Sequence, residues 1–161
     1  MAEHYKQRNA YGCGLYSLAN ALQDSDLITD ERIEKSKRGN NIGQLSLWLQ
    51  ESGYECWIEA LRYDNGEKIE LFDLTPDFSL DKSVLWFPFM VVFQSTKEKN
   101  HMIGCRYMRN GTIVVHDSLL DSEIIHKNFD KFKEYYEKEE TIVSYEILRD
   151  FEYKEISVIE L

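Results

Sequence analysis

The chain has 161 residues, of which 43% are apolar and 13% are aromatic, and its formal net charge is −10. This length and composition exclude a disordered chain and predict one domain, spanning residues 1–161, that buries its own core. The negative charge disfavours a nucleic-acid partner. The sequence shows neither a long apolar run nor an apolar leader, so we expect a cytoplasmic protein with no membrane partner. Its three cysteines lack the spacing of a disulfide framework, which fits a reducing compartment.

Helix signals fill the first third of the chain. Residues 12–23 carry an apolar stripe at the i, i+3, i+4, i+7 spacing, which consists of Leu15, Leu18, Ala19 and Leu22. Thr29 is a suitable N-cap for a second helix that Gly39 would end. A third helix is expected over about 41–52, with Gly53 just past its C-terminus.

Strand signals follow, and one further helix, over about 127–138, interrupts them. The predicted strands cover residues 54–61, 68–72, 84–93, 101–108, 112–117, 141–148 and 153–159. Pro88 has no N–H for a strand ladder, so we expect it at a bulge or where its strand forms an edge. Helices followed by mostly antiparallel strands predict an α+β fold, with the N-terminal helices packed on the sheet.

Cys13 stands at the start of the first predicted helix, between Gly12 and Gly14. The free N–H groups of a helix start carry partial positive charge, and a nearby imidazolium would add to it, so both effects predict a lowered thiol pKa. The two glycines would leave room for a substrate backbone beside the sulfur. Taken alone, Cys13 is also compatible with a small buried apolar residue.

Three further residues complete a candidate catalytic site. Gln7 lies six positions before Cys13, His101 begins one strand, and Asp117 ends the next. In acyl transfer Cys13 would be the nucleophile, His101 the general base, and Asp117 the acceptor that orients the imidazole. The backbone N–H of Cys13 and the side-chain amide of Gln7 would stabilise the oxyanion.

The hairpin between the two strands decides whether His101 and Asp117 share a face of the sheet. A two-residue turn would put them on opposite faces. A three-residue loop over 109–111, with Gly111 in the left-handed conformation, would pair Asp117 with Ile103 and put it on the His101 face. The catalytic hypothesis therefore predicts the three-residue loop or another register of equal parity.

The other histidines and a helical asparagine receive no catalytic role. His116 and Asp117 are strand neighbours that would point to opposite faces, so we reject them as a pair. His4 and His126 are expected on the surface. Asn20 is expected at a solvated helix position, although it could cap a group across the core. Cysteines and histidines show no close ligand spacing, so we expect neither a metal nor a cofactor.

Four segments carry a family resemblance, namely Gln7–Leu22, Gly43–Gly53, His101–Ile103 and Val114–Ser118. Together they resemble the papain-like cysteine peptidases that remove double-glycine leaders from bacteriocins. The ending Asp117–Leu120 is also similar to Josephin-type deubiquitinases. The resemblance covers about residues 5–120. It implies a papain-like fold and the same four roles, with Cys13 as nucleophile, His101 as general base, Asp117 as orienting acid and Gln7 as oxyanion donor.

Three interpretations of function stay open at this point. The first is a cysteine peptidase or amidase that cleaves a peptide or isopeptide bond of a peptide or protein substrate through a thioester, or passes the acyl group to an amine. The second is a papain-like fold used as a non-catalytic module of a larger protein assembly, such as a viral particle. The third is a binding domain with a buried cysteine, in which Cys13, His101 and Asp117 do not converge.

Overall fold

The computed structural model describes residues 2–9, 11–61, 76, 78–79, 84–95, 101–135 and 142–153. For residues 42, 55–61, 92–95, 101 and 142–153 the description covers the backbone alone. The protein is α+β, as the sequence predicts, because helices precede a sheet of antiparallel strands along the chain. No described helix combines the length and the apolar character that crossing a bilayer requires.

The described helices are α1 (Cys13–Leu22), α2 (Asp30–Lys35), α3 (Ile42–Glu51) and α4 (Phe129–Glu134), with a 3₁₀ turn at Ser25–Leu27. Side-chain caps fix where three of them begin. Thr29, Asn41 and Asn128 each accept a hydrogen bond from a backbone N–H three residues further on. Gly53, with φ of 88°, follows α3 as predicted.

Six described strands form one sheet in the order β1-β6-β2-β3-β4-β5, and each neighbouring pair is antiparallel. They are β1 (Tyr54–Leu61), β2 (Trp86–Ser95), β3 (His101–Met108), β4 (Ile113–His116), β5 (Ile124–His126) and β6 (Ile142–Tyr153). The register of β2 with β6 begins at Phe89, whereas Pro88 is paired with Arg106 of β3. Among the described strands, β2 has a neighbour on one side at Pro88, which agrees with the edge position, one of the two that we expected.

The β3–β4 hairpin has the three-residue loop that the catalytic hypothesis requires. Met108 N–H donates to the carbonyl of Thr112 at 2.8 Å, and Gly111 N–H donates to the carbonyl of Met108 at 2.9 Å. Gly111 has φ of 91°, and Gly104 is paired with His116. The predicted three-residue loop is confirmed, and this register, extended by one residue beyond its last pair, would put Asp117 opposite Ile103.

Helices cover both faces of the sheet. On one face α1 and α3 pack against the strands through a cluster that includes Leu15, Leu18, Leu45, Leu49, Met90 and Met102. On the other face α4 contributes to a cluster that includes Phe89, Val91, Ile103, Cys105, Val115, Phe129 and Phe132. Gly104 permits the close approach of α1 to β3, because a Cβ atom there would lie 2.1 Å from the carbonyl oxygen of Ser17. The start of α1 is thereby held beside the start of β3.

Several boundaries differ from the sequence predictions. Helix α2 ends at Lys35, before Gly39, because the Ser36 hydroxyl bonds back to the carbonyl of Arg32 at 2.8 Å and begins a turn. Strand β5 was not predicted, since three residues give too short a pattern. Strand β6 runs unbroken where the sequence suggested two strands, as its pairing with β1 continues through Arg149 to Tyr153. The predicted strand at 68–72 and the residues after Tyr153 lie outside the described residues.

Candidate functional site

Cys13 is the first residue of α1, as predicted, and it is half-buried. Gly12 precedes it with φ of 95°, a conformation that favours glycine and turns the chain sharply into the helix. One of the free N–H groups of the first turn, that of Leu15, donates to Asn40 Oδ1 at 3.1 Å. The N–H groups of Cys13 and Gly14 are directed at the sulfur and favour its thiolate form.

The ionisation of Cys13 goes against the sequence prediction. Burial raises the pKa of the Cys13 thiol, and the carboxylate of Asp117 raises it further. Backbone N–H groups, among them that of Met102, lower this pKa but do not offset the burial. The expected net lowering is therefore wrong for the chain without a ligand, and its thiol is protonated at neutral pH.

Gly14 serves the packing of the protein itself, which corrects the expectation that it makes room for a substrate. A Cβ atom at position 14 would lie 2.6 Å from the Met102 sulfur and 2.8 Å from Asn40 Cβ. The missing side chain thus lets α1 settle between β3 and the segment before α3. Gly12 has ordinary van der Waals space around it, so its positive φ is what favours glycine there.

Cys13 lies beside the first residues of β3. The hydrogen-bonding pattern between β3 and β4 explains why a backbone N–H is available there. Because Met108 N–H bonds to the carbonyl of Thr112, the residue before β4, the N–H groups of the even-numbered residues of β3 point towards β4. The β3–β4 register ends at Gly104 and His116, so Met102 N–H projects past the end of β4. This N–H lies close enough to Cys13 to act against the rise in the pKa of its thiol. We call the gap beside residues 101–103 of β3, beyond the end of β4, the notch.

His101 and Asp117 flank the notch at backbone level. His101 is the first residue of β3 and is paired with Phe93 of β2, while its side chain lies outside the described part of the chain. Asp117 follows β4 directly, and its Oδ1 accepts the N–H of Leu119 at 3.1 Å. The body of α1 covers the face of Met102, whereas positions 101 and 117 belong to the other face. Cys13 keeps part of its surface exposed to solvent among the described residues.

Gln7 is buried and fixed next to Asp117. Its backbone N–H donates to the carbonyl of Ser118 at 2.8 Å, and its Oε1 accepts the Ser118 hydroxyl at 2.5 Å. Its Nε2 donates to the carbonyls of Asn9 at 2.8 Å and Tyr11 at 3.3 Å. Both amide hydrogens are thus engaged, so Gln7 can act as an oxyanion donor only after one of these carbonyls is released.

Sequence reasoning missed a buried polar cluster beside this site. Arg106 Nε lies 3.1 Å from His116 Nε2, and His116 Nδ1 lies 3.0 Å from Nδ1 of His4. His4 is half-buried and His126 is buried, so the expectation that both lie on the surface is wrong. Strand parity places positions 106 and 116 on one face, but nothing in the sequence brings His4 to them.

Asn20 is a second correction. It is fully buried, and its side chain bonds to both the N–H and the carbonyl of Tyr5, at 2.7 and 2.9 Å. It therefore caps a backbone across the core, which is the alternative that the sequence disfavoured. Gln23 bonds the N–H and the carbonyl of Glu3 in the same pattern. Together the two side chains hold segment 2–9 against α1.

A metal ion could be considered at one place in the described residues. Nitrogen and carboxylate atoms of His4, His116 and Glu123 lie within 4.8 Å of one another. However, Arg106 can only donate, so the neutral ring of His116 carries its hydrogen on Nδ1, the atom that faces His4. A cation would have to remove that hydrogen or displace the Arg106 guanidinium, so the arrangement fits a hydrogen-bonded cluster better than a metal centre.

No protein-family model matches the sequence, and no curated protein matches it either. The function is therefore inferred from the geometry around the notch.

Proposed function

We propose that this chain is a papain-like cysteine hydrolase that cleaves a peptide or isopeptide bond. The observation that carries the proposal is the position of the Cys13 sulfur in the notch, against Met102 N–H and within the electrostatic influence of Asp117. Because Met102 directly follows His101 in β3, the backbone at position 101 lies near Cys13, which supports the proposal. The hairpin register adds support, because it gives positions 101 and 117 the same face.

The raised pKa of Cys13 determines how the reaction would begin. Since the thiol is protonated, His101 would accept its proton as the sulfur attacks the carbonyl carbon. The oxyanion would be held by Cys13 N–H and, after release of Asn9 or Tyr11, by Gln7 Nε2. His101 would then protonate the leaving amine, which leaves a thioester. Water would attack the thioester, give its proton to His101 and release the acid and the free thiol.

A panel of peptide, isopeptide and amide substrates, followed by mass spectrometry, tests the proposal. The native chain should give cleavage products, and Cys13→Ala should give none. Cys105→Ala is the matched control, because it removes a thiol that is buried on the opposite face of the sheet. Turnover by both Cys13→Ala and the native chain, or by neither, would contradict the proposal.

A second function, a non-catalytic interaction module in a larger assembly, is favoured by two observations. Burial and Asp117 raise the pKa of Cys13, and both amide hydrogens of Gln7 are bonded within the chain. Both observations are expected of a site that has lost catalytic activity. A chain that retains its fold and binds a protein partner equally well with Cys13→Ala, while cleaving nothing in the panel, would establish the module.

A further inference from the structure

Arg106, His116 and His4 form a hydrogen-bonded chain in which every hydrogen can be assigned. Arg106 Nε–H donates to His116 Nε2 at 3.1 Å, so the neutral ring of His116 carries its hydrogen on Nδ1. That Nδ1–H donates to His4 Nδ1 at 3.0 Å. His4 then carries its hydrogen on Nε2, which donates to the carbonyl of Leu120 at 2.8 Å.

The two imidazoles are aligned as a hydrogen bond requires. Their centroids are 5.3 Å apart and their planes differ by 15°. With Nδ1 atoms at 3.0 Å, this is about the largest separation that the two rings allow, so the line between the nitrogens passes close to both ring centres. A metal ion bound by both nitrogens would bend the rings towards each other and shorten the centroid separation.

This hydrogen-bonded chain has no place for an additional proton. A proton on His4 Nδ1 would face the Nδ1–H of His116, and a proton on His116 Nε2 would face the guanidinium of Arg106. In either case two donors are opposed and one link breaks. The complete set of bonds from Arg106 to Leu120 therefore exists only while both rings are neutral, and a proton on His4 Nδ1 is the one that breaks the link between His4 and His116.

The link joins the segments that carry Gln7 and Asp117, two of the four candidate catalytic residues. His4 and Gln7 belong to segment 2–9, and His116 leads directly into loop 117–121. We propose that His4 and His116 form an acid-labile link that docks segment 2–9 onto loop 117–121 and so positions Gln7 beside Asp117. The catalytic consequence rests on the proposed function, whereas the docking itself does not.

The charges around His4 favour release in acid. His116 from β4 faces the ring of His4, and Arg106 from β3 lies on the far side of His116, where its charge disfavours a further proton on His116. Asp121 and Glu123 lie on the loop after β4, near enough to attract an imidazolium. Lys6 of the same segment pairs with Asp121. A protonated His4 can thus leave His116 for these carboxylates, which gives the open state contacts of its own.

Amide hydrogen exchange of segment 2–9 tests the link without reference to catalysis. Tyr5 N–H and Gln7 N–H are bonded to Asn20 and Ser118, so docking protects them. In the native chain we expect their protection factors to fall about tenfold between a pH of about 7.5 and about 5.5, because an additional proton on His4 breaks the link. Equal protection at both pH values would overturn the proposal.

Two substitutions of His4 separate titration from packing. Because His116 is fully buried, replacing it would test folding instead. His4→Gln supplies an acceptor for His116 and a donor for Leu120 but does not titrate, so its protection should stay high and change less than about twofold with pH. His4→Phe keeps a ring without nitrogens, and its protection should be low at both pH values. A fall with pH in His4→Gln as large as in the native chain would contradict the link.

A spectroscopic measurement and a metal titration complete the test. Nitrogen NMR should show His116 protonated on Nδ1 and His4 on Nε2, and the reverse assignment would overturn the proposal. Zinc added at neutral pH should leave the unfolding temperature unchanged. An increase that His4→Gln and Glu123→Gln both abolish would replace the link by a metal site. Loss of turnover with intact protection would count against the proposed function and leave the docking in place.

Discussion

Cys13 shows how burial can outweigh a favourable helix position. Its sulfur meets N–H groups from Gly14 and Met102, each of which stabilises a thiolate. Its side chain is packed against the apolar cluster under α1, and the nearby Asp117 carries the same sign of charge as a thiolate. The pKa of Cys13 is raised because desolvation is the largest of these effects. Nucleophilic attack by Cys13 therefore requires a base.

The rate at which iodoacetamide alkylates Cys13 should reflect this raised pKa. We expect the rate to be lower than that of free cysteine at neutral pH, with an inflection above the ordinary thiol pKa. Asp117→Asn removes the negative charge, so it should speed alkylation about twofold while it reduces turnover. A rate above that of free cysteine, with a low inflection, would instead indicate a preformed thiolate–imidazolium pair.

Gly104 is the residue on which the approach of α1 depends. Gly104→Ala would place a methyl group against the backbone carbonyl of Ser17, which cannot rotate away. We expect a loss of about 3 kcal/mol or more in the free energy of unfolding, measured with urea. Gly43→Ala is the control, because that site is exposed in α3 and a Cβ atom there would lie 3.3 Å from Oδ1 of the Asn41 side chain. The control should change stability by less than about 1 kcal/mol.

At the scale of elements, segment 2–9 lies along α1 through two amides with the same bonding pattern. Asn20 bonds the N–H and carbonyl of Tyr5, and Gln23 bonds those of Glu3. They differ in burial, because Asn20 is fully buried and the Gln23 contacts are exposed. Comparing the two residues therefore shows how much burial changes the contribution of such hydrogen bonds to the free energy of unfolding.

We expect Asn20→Ala to cost about 2–3 kcal/mol in the free energy of unfolding, since it leaves two backbone groups of Tyr5 unsatisfied in the interior. Gln23→Ala should cost less than about 1 kcal/mol, because water can replace its bonds to Glu3. Urea unfolding of both variants measures the difference. Equal losses would show that segment 2–9 is solvated at Tyr5.

Local signals in the sequence predict the helices and strands, but they do not predict which side chains from distant segments form contacts. The caps at Thr29 and Asn41 and the turn at Gly111 act within a few residues, so the helices and the hairpin register follow from the sequence. Asn20 was assigned the wrong environment because its partner, Tyr5, belongs to a segment without a periodic pattern. The link from His4 to His116 joins residues 112 positions apart, and no local rule predicts it.

At the scale of the whole molecule, the sheet assembles from distant parts of the chain. β6, the last described strand, lies between β1 and β2, and β4 lies next to β3 through a short loop. Because β4 lies between β3 and β5, all of its residues are buried, and His116 is fully inaccessible to solvent. An ionisable side chain at this place ties the stability of the entire fold to pH.

Burial, with the charge of Arg106 and the influence of His4, lowers the pKa of His116 from 6.5 to about 3. The folded chain keeps this ring neutral, whereas the unfolded chain binds a proton as the pH falls through about 6.5. Stability should therefore be complete above that pH and decrease as the pH falls towards 3, by on the order of 3 kcal/mol. Burial also lowers the pKa of His126, which adds a loss in the same direction.

Urea unfolding at a series of pH values between about 6.5 and 4.5 measures this loss, and the window separates histidines from carboxylates. Glu31 and Asp121 have lowered pKa values through their lysine partners, so their contributions are lost only at more acidic pH. His126→Phe should leave most of the slope in place if His116 is its main source. A free energy of unfolding that stays constant across the window would mean that His116 is protonated within the fold, which its bond from Arg106 does not permit.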